Sequence, residues 1–158
     1  MPNLDKDVPN LNKDGSDHTQ LLAQLQNKEL LIVNSRRKNG LIIYKRYHAE
    51  FAGPGSVVGS VFDLDVTGVF PVGNWSSVPP KNGDERHRAY LIRRQWTKLV
   101  HQITVNPVPL QRAQIILNQF ENWFDEETVA CVPDEAFARL VGVLPQTMIR
   151  ARRADARL

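Results

Sequence analysis

Between Pro133 and Arg153 the chain reads PDEAFARLVGVLPQTMIRARR, and side chains able to hydrogen-bond in forked pairs recur there at helical spacing. Gln146, Ile149, Arg150 and Arg153 stand three and four residues apart, so a helix carrying them presents all four on one face. Met148 and Ala151, with Leu158 beyond, fall on the opposite, inward face. A glutamine amide or an arginine guanidinium can make two parallel hydrogen bonds to one planar partner, and arginine brings a permanent charge. The outward face is therefore basic, and Arg152 and Arg157 add charge beside it.

Two short helices joined at a tight turn would position these groups. Pro133 suits a helix start, and Asp134 and Glu135 follow where the helix dipole favours acids. Phe137, Ala138 and Val141 then share one face. Gly142 stands where a helix ends in the left-handed conformation, which glycine adopts without steric cost. Pro145 restarts the chain as the first-turn proline of the next helix.

With these residues in place, the stretch resembles the helix-turn-helix superfamily, including the GVxPQT wording of MerR-like and winged variants. Ala138 matches the small residue of that family's first helix, Gly142 its turn glycine, Val143 the apolar residue after it, and Met148 the apolar residue six positions on. The resemblance implies that Leu144, Pro145, Gln146, Ile149 and Arg150 lie on the groove-facing side of a recognition helix. Leu144 departs from the pattern, because most members carry a capping Ser, Thr or Asn there. Ile149 is apolar on a face expected to meet base edges, where it can touch a thymine methyl group or a protein. The rest of the chain resembles no named family, only small uncharacterised proteins of cyanobacteria, and that likeness implies no function.

Two expectations from different classes follow. In the first, the partner is double-stranded DNA, with Gln146 and Arg150 toward bases and Arg152, Arg153 and Arg157 toward phosphates, while the first half senses or forms a homodimer. In the second, the same helices are a non-catalytic docking surface for a protein partner, with Leu144 and Ile149 as the apolar anchor. RNA binding through a basic hairpin at Tyr44 to Arg46 is a third reading.

The full chain of 158 residues is long enough to bury one core. Its net charge of +3 is unevenly placed: residues 1–80 hold eight basic and eight acidic side chains, whereas 81–158 hold twelve and nine. The excess suits an anionic partner of the second half. The single cysteine, Cys131, sits in an apolar string, is expected to be buried packing and has no intramolecular partner for a disulfide, which fits a reducing cytoplasm. No secretory signal opens the chain and no apolar run approaches the roughly 18 residues of a membrane span.

Residues 1–16 read as a disordered arm, and Asp17 as the cap of a short helix that buries Leu21, Leu22 and Leu25 and ends near Asn27. The runs ELLIVNS and LIIYKRYH flank RRKNG, where Asn39-Gly40 signals a type I′ hairpin. That hairpin would carry a secondary basic surface of Arg36, Arg37, Lys38, Lys45 and Arg46, with Tyr44 and Tyr47 interleaved and Arg93 and Arg94 contributing from a later helix. Gly53-Pro54-Gly55 is a turn and no phosphate-binding loop, since no helix with Lys and Ser/Thr follows. One or two strands follow over Val57 to Phe70, where Asp63 and Asp65 read as solvated charge on an exposed face, and Trp75 sits in a loop.

From residue 85 the pattern is helical. Ile92, Trp96, Leu99, Val100 and Ile103 form an apolar stripe, Asn106 to Pro109 breaks the helix, and a second helix buries Ile116, Leu117 and Phe120 before an acidic loop, Asp125 to Glu127. These readings give three segments: the arm at 1–16, a helix plus antiparallel strands at 17–84, and a helical region at 85–158. The fold class is α+β, with a small antiparallel sheet in the first half and a helical second half ending in the helix-turn-helix-like unit. His18, His48, His87 and His101 form no zinc, triad or nucleophile-elbow pattern, so no catalytic residue, metal site or cofactor is expected.

Overall fold

Leu41-Ile42-Ile43 has no polar alternation, so a strand built from it must be covered on both faces. The computed structural model, which describes the backbone of residues 9–156 and the side chains of 18–155, covers it in that way. Helix α1 (Pro9–Gln26) leads into strands β1 (Leu30–Val33), β2 (Asn39–Tyr44), β3 (Ala49–Ala52) and β4 (Val57–Gly59). A 3₁₀ turn (Ser60–Asp63) precedes β5 (Gly68–Gly73) and β6 (Ser77–Val78). The second half is helical: α2 (Gly83–Thr104), α3 (Pro109–Trp123), α4 (Glu126–Cys131), α5 (Asp134–Val141) and α6 (Pro145–Ala156).

The strands form two antiparallel sheets, ordered β4-β1-β6 and β3-β2-β5. Central strand β2 pairs Ile42 with Phe51 on one side and with Phe70 on the other. Leu41 and Ile43 pack with Leu21 and Leu25 of α1 and with Val33 and Val58 of the other sheet. Ile42 and Phe51 face the helices, joining Val100, Ile116, Phe120, Phe137 and Met148 in the larger core. The α+β class stands, with the sheet divided in two.

Several expectations are corrected. Helix α1 already runs from Pro9, so Asp17 lies inside it and not at its cap. Pro9 fits a first turn, and once Leu21 and Leu25 anchor the helix, extending it by a further turn costs far less than nucleating one. Residues 1–8 of the expected arm lie outside the described residues. The Asn39-Gly40 hairpin does not form: β1 and β2 belong to different sheets, and both residues sit inside β2. The Asn39 amide is taken by longer-range bonds, donating to Asn34 O at 2.9 Å and Arg37 O at 3.0 Å while its oxygen accepts from the Ser76 amide at 3.1 Å. The acidic loop is instead a helix start, with Asp125 capping α4 by accepting from the Thr128 amide at 2.8 Å. Cys131, expected to be buried packing, is exposed at the end of α4. Asp63, read as solvated, is fully buried.

Lys45 and Arg93 leave the expected basic surface altogether, being 3% and 4% exposed. Both converge on Asp63. Lys45 Nζ lies 3.0 Å from Asp63, 2.6 Å from Asp65 and 3.7 Å from Glu50. Arg93 grips both Asp63 oxygens, at 3.1 and 2.9 Å, and reaches Glu50 at 3.4 Å. The Gly59 amide donates to Asp63 at 2.6 Å. Burial works to raise the Asp63 carboxyl, but Arg93, Gly59 and Lys45 outweigh it and hold it below the usual carboxylate range. Charges buried this deeply persist only when paired, and each of these is.

Candidate nucleic-acid interface

Helices α3, α5 and α6 pack on one another as a three-helix unit. Phe137, Leu140, Val141, Met148 and Ala151 are buried within it. The turn between α5 and α6 consists of residues 142–144. Gly142 takes φ 68° and ψ 45°, its amide bonds back to Ala138 O, and the Val143 amide closes on the same carbonyl at 3.0 Å. A side chain at 142 would be strained there, so the glycine sets the turn. Leu144 supplies only its carbonyl to the start of α6, accepting from the Thr147 amide at 2.9 Å.

Two arginines brace the unit, one of them at this turn. Arg112 of α3 donates to Val141 O at 2.9 Å and Gly142 O at 3.0 Å, satisfying carbonyls that the end of α5 leaves open, and to Asn106 O in the α2–α3 link at 2.7 Å. Arg152 of α6 bonds Asp134 at 2.6 Å, donates to the Val129 and Val132 carbonyls, and lies over the Phe137 ring. The expectation that Arg152 contacts phosphates is therefore corrected, because its donors tie α6 to α4 and α5. Arg112→Ala is expected to lower stability by about 1–2 kcal/mol in urea unfolding, since charged donors to three carbonyls are lost but two of them, on Asn106 and Gly142, belong to residues at least partly open to water.

The outward face of α6 matches its sequence reading. Pro145, Gln146, Ile149, Arg150 and Arg153 are all exposed, and Leu144 is 68% and Ile149 38% exposed. Among the described residues, Arg150 and Arg153 carry no hydrogen bond or ion pair. Arg157, assigned to phosphates, lies outside the described residues. Behind this face, Asp155 of α6 meets Glu121 of α3. The bond between these carboxyls, with burial and Asp155's charge, raises Glu121 to about 7.

The secondary basic surface is only partly assembled. Arg36, Arg37 and Lys38 are exposed in the β1–β2 connection. Arg46 is exposed with its guanidinium 5.2 Å from the Tyr47 ring, and Arg94 is exposed 5.9 Å from the Tyr90 ring. Tyr44 is half-buried beneath Arg139, whose guanidinium lies 5.5 Å from its ring and donates to Lys45 O. The hairpin that carries Tyr44 to Arg46 is formed by β2 and β3, not by the two runs flanking RRKNG, and the fold occupies Tyr44 and Lys45 there, leaving Arg46 and Tyr47 exposed at its turn. The aromatic residues that share a cleft with Arg36, Arg37 and Lys38 are Trp96, Trp123 and Phe124. The sequence reading missed this because the two tryptophans belong to distant helices.

A cleft of about 680 Å³ lies along α2 between Glu50, Phe62, Tyr90, Arg94, Lys98 and His101. Among the described residues no group of His, Cys, Asp and Glu is placed to hold a metal ion, and no helix is long and apolar enough to cross a membrane. Compared with protein-family models, curated proteins and solved structures, the chain matches none of them.

Proposed function

We propose that the chain binds double-stranded DNA by laying α6 in the major groove. The observation that carries this reading is the exposed row of Gln146, Ile149, Arg150 and Arg153 on a helix held at a glycine turn in a three-helix unit. Gln146 and Arg150 then read base edges, Ile149 meets a thymine methyl group, and Arg153 meets a phosphate. Two unpaired arginines on the described face of α6 are few for a duplex reader, so a homodimer on a two-fold site is part of the proposal.

Electrophoretic mobility shift of short duplexes tests it. Wild-type chain should retard duplex, more weakly as salt rises, and Gln146→Ala/Arg150→Ala should lose at least tenfold in affinity, as removal of two base contacts worth about 1–3 kcal/mol each requires. Affinity should also fall as pH rises through about 7, because Glu121 then loses its proton beside the end of α6. If wild-type chain fails to shift duplex at low salt, DNA recognition by the chain alone is excluded.

The exposure of Leu144 and Ile149 favours a second reading, in which α6 docks on a protein partner. Leu144→Asp would then abolish binding that Arg150→Ala leaves intact.

A further inference from the structure

Two sets of cations in this chain contrast. Lys45, Arg93, Arg139 and Arg152 each lie within 4 Å of a carboxylate and serve the fold. Arg36, Arg37, Lys38, Lys81 and Arg88 are exposed, and no side-chain hydrogen bond or ion pair within the described chain occupies them. These five are neighbours. Arg36, Arg37 and Lys38 border a cleft of about 330 Å³ with Trp96 and Trp123, while Arg36, Lys81 and Arg88 border an adjoining cleft of about 570 Å³. The two clefts share Ser35 and Arg36, so the cationic loop runs as a ridge between them. Opposing charge is sparse: Glu85 lines the larger cleft, and Asp125 lies close enough to Lys38 to feel its field.

The ridge is held in shape from within. The Arg36 amide donates to Asn34 Oδ1 at 3.0 Å, the Arg37 amide bonds Asn34 O at 3.5 Å, and buried Asn39 holds the Asn34 and Arg37 carbonyls. Its backbone is thus ordered before any ligand arrives, which lowers the entropic cost of binding. Beneath it Trp96 and Trp123 meet edge to face at 4.8 Å, each half-buried with a border on the cleft.

We propose that this ridge and its two clefts bind single-stranded nucleic acid, separately from the α6 face. Unpaired cations neutralise successive phosphates, and the tryptophan cleft accepts a base, the combination that sequence-tolerant single-strand binding uses. A duplex cannot offer an unstacked base to the cleft, so the ridge selects single strands.

Tryptophan fluorescence titration of the full chain with oligo-dT and oligo-rU of equal length tests the proposal. Either oligonucleotide should quench emission, and the logarithm of affinity should fall with the logarithm of salt at a slope of roughly −2 to −3.5, as three to five phosphate contacts predict. Preference for oligo-rU identifies RNA, and equal binding identifies single strands in general. Arg36→Gln/Lys38→Gln should weaken binding about tenfold or more and flatten the slope by about 1.4, with circular dichroism unchanged. Trp123→Phe, which keeps a ring in the core, should weaken binding without changing the slope. Gln146→Ala/Arg150→Ala should leave single-strand affinity intact even if duplex binding is lost, so the two sites fail separately. Absence of quenching and of any mobility shift by either oligonucleotide at low salt, or undiminished binding by the loop variant, would overturn the proposal.

Discussion

Asp63→Asn is expected to lower the stability of the fold by about 3–5 kcal/mol, the range for breaking a buried ion pair from one side. The asparagine keeps the volume and one acceptor, but leaves Lys45 and Arg93 facing each other in the interior without the shared carboxylate that both grip at 3.1 Å or less. For a chain of this size the midpoint of thermal unfolding should drop by roughly 10 °C. Lys45→Met should cost less, because Asp63 would still hold Arg93 and the Gly59 amide. The pH dependence gives an independent check. Asp63's folded pKa lies below its unfolded value of about 3.9, so its contribution is complete above that pH and disappears as pH falls through the folded value. Wild type and Asp63→Asn should therefore converge in acid, and a constant gap between their urea midpoints down to about pH 2 would contradict the account.

Phe51→Ala should cost about 3–5 kcal/mol by a different route, the loss of a ring from a site that cannot close. Phe51 is fully buried, and its ring centroid lies 4.9 Å from Phe120, 5.4 Å from Trp96 and 5.8 Å from a stacked Trp123. On the strand side, Gly40 leaves room for it: a Cβ there would stand 2.5 Å from the ring. Walls drawn from β2, α2 and α3 cannot all relax inward, so a cavity remains. Near-UV circular dichroism should lose much of its intensity, because Trp96 and Trp123 both lean on this ring. Phe51→Leu should lose only about 1 kcal/mol by the same measurement, since most of the volume is kept.

What the sequence made legible was what local chemistry decides. Gly142 and Pro145 fix the end of one helix and the start of the next by their own backbone preferences, and the outward spacing of Gln146, Arg150 and Arg153 follows from helical geometry alone. Asn39-Gly40 misled because its preference for a hairpin is weaker than three bonds that Asn39 makes elsewhere, one of them to Ser76 in a distant segment. Lys45, Asp63 and Arg93 were read by residue type as exposed, while their burial depends on ion pairs that span 18 and 30 positions. A positional signal was nonetheless present. Arg93 continues the face of Ala89, Trp96, Val100 and Ile103, and Lys45 continues the alternation of Leu41 and Ile43, so both stand where an apolar side chain would belong. A charge on a buried face implies a buried countercharge, and Asp63 was the acid available. Arg152's bond to Asp134 could not be read in this way, because two helices must first dock before the pair exists.

Helix α2 sits where these strands of argument meet. One of its turns sends Arg93 to Asp63 beside the first sheet, and the next sends Trp96 against Phe51 of the second. A helix pinned by an ionic grip on one side and an aromatic wedge on the other can neither roll nor slide, so it works as an axle keyed at two points. Neither sheet can then shift without dragging the other, and the α3–α5–α6 unit, seated on the same axle and on β2 and β3, inherits a fixed bearing from both.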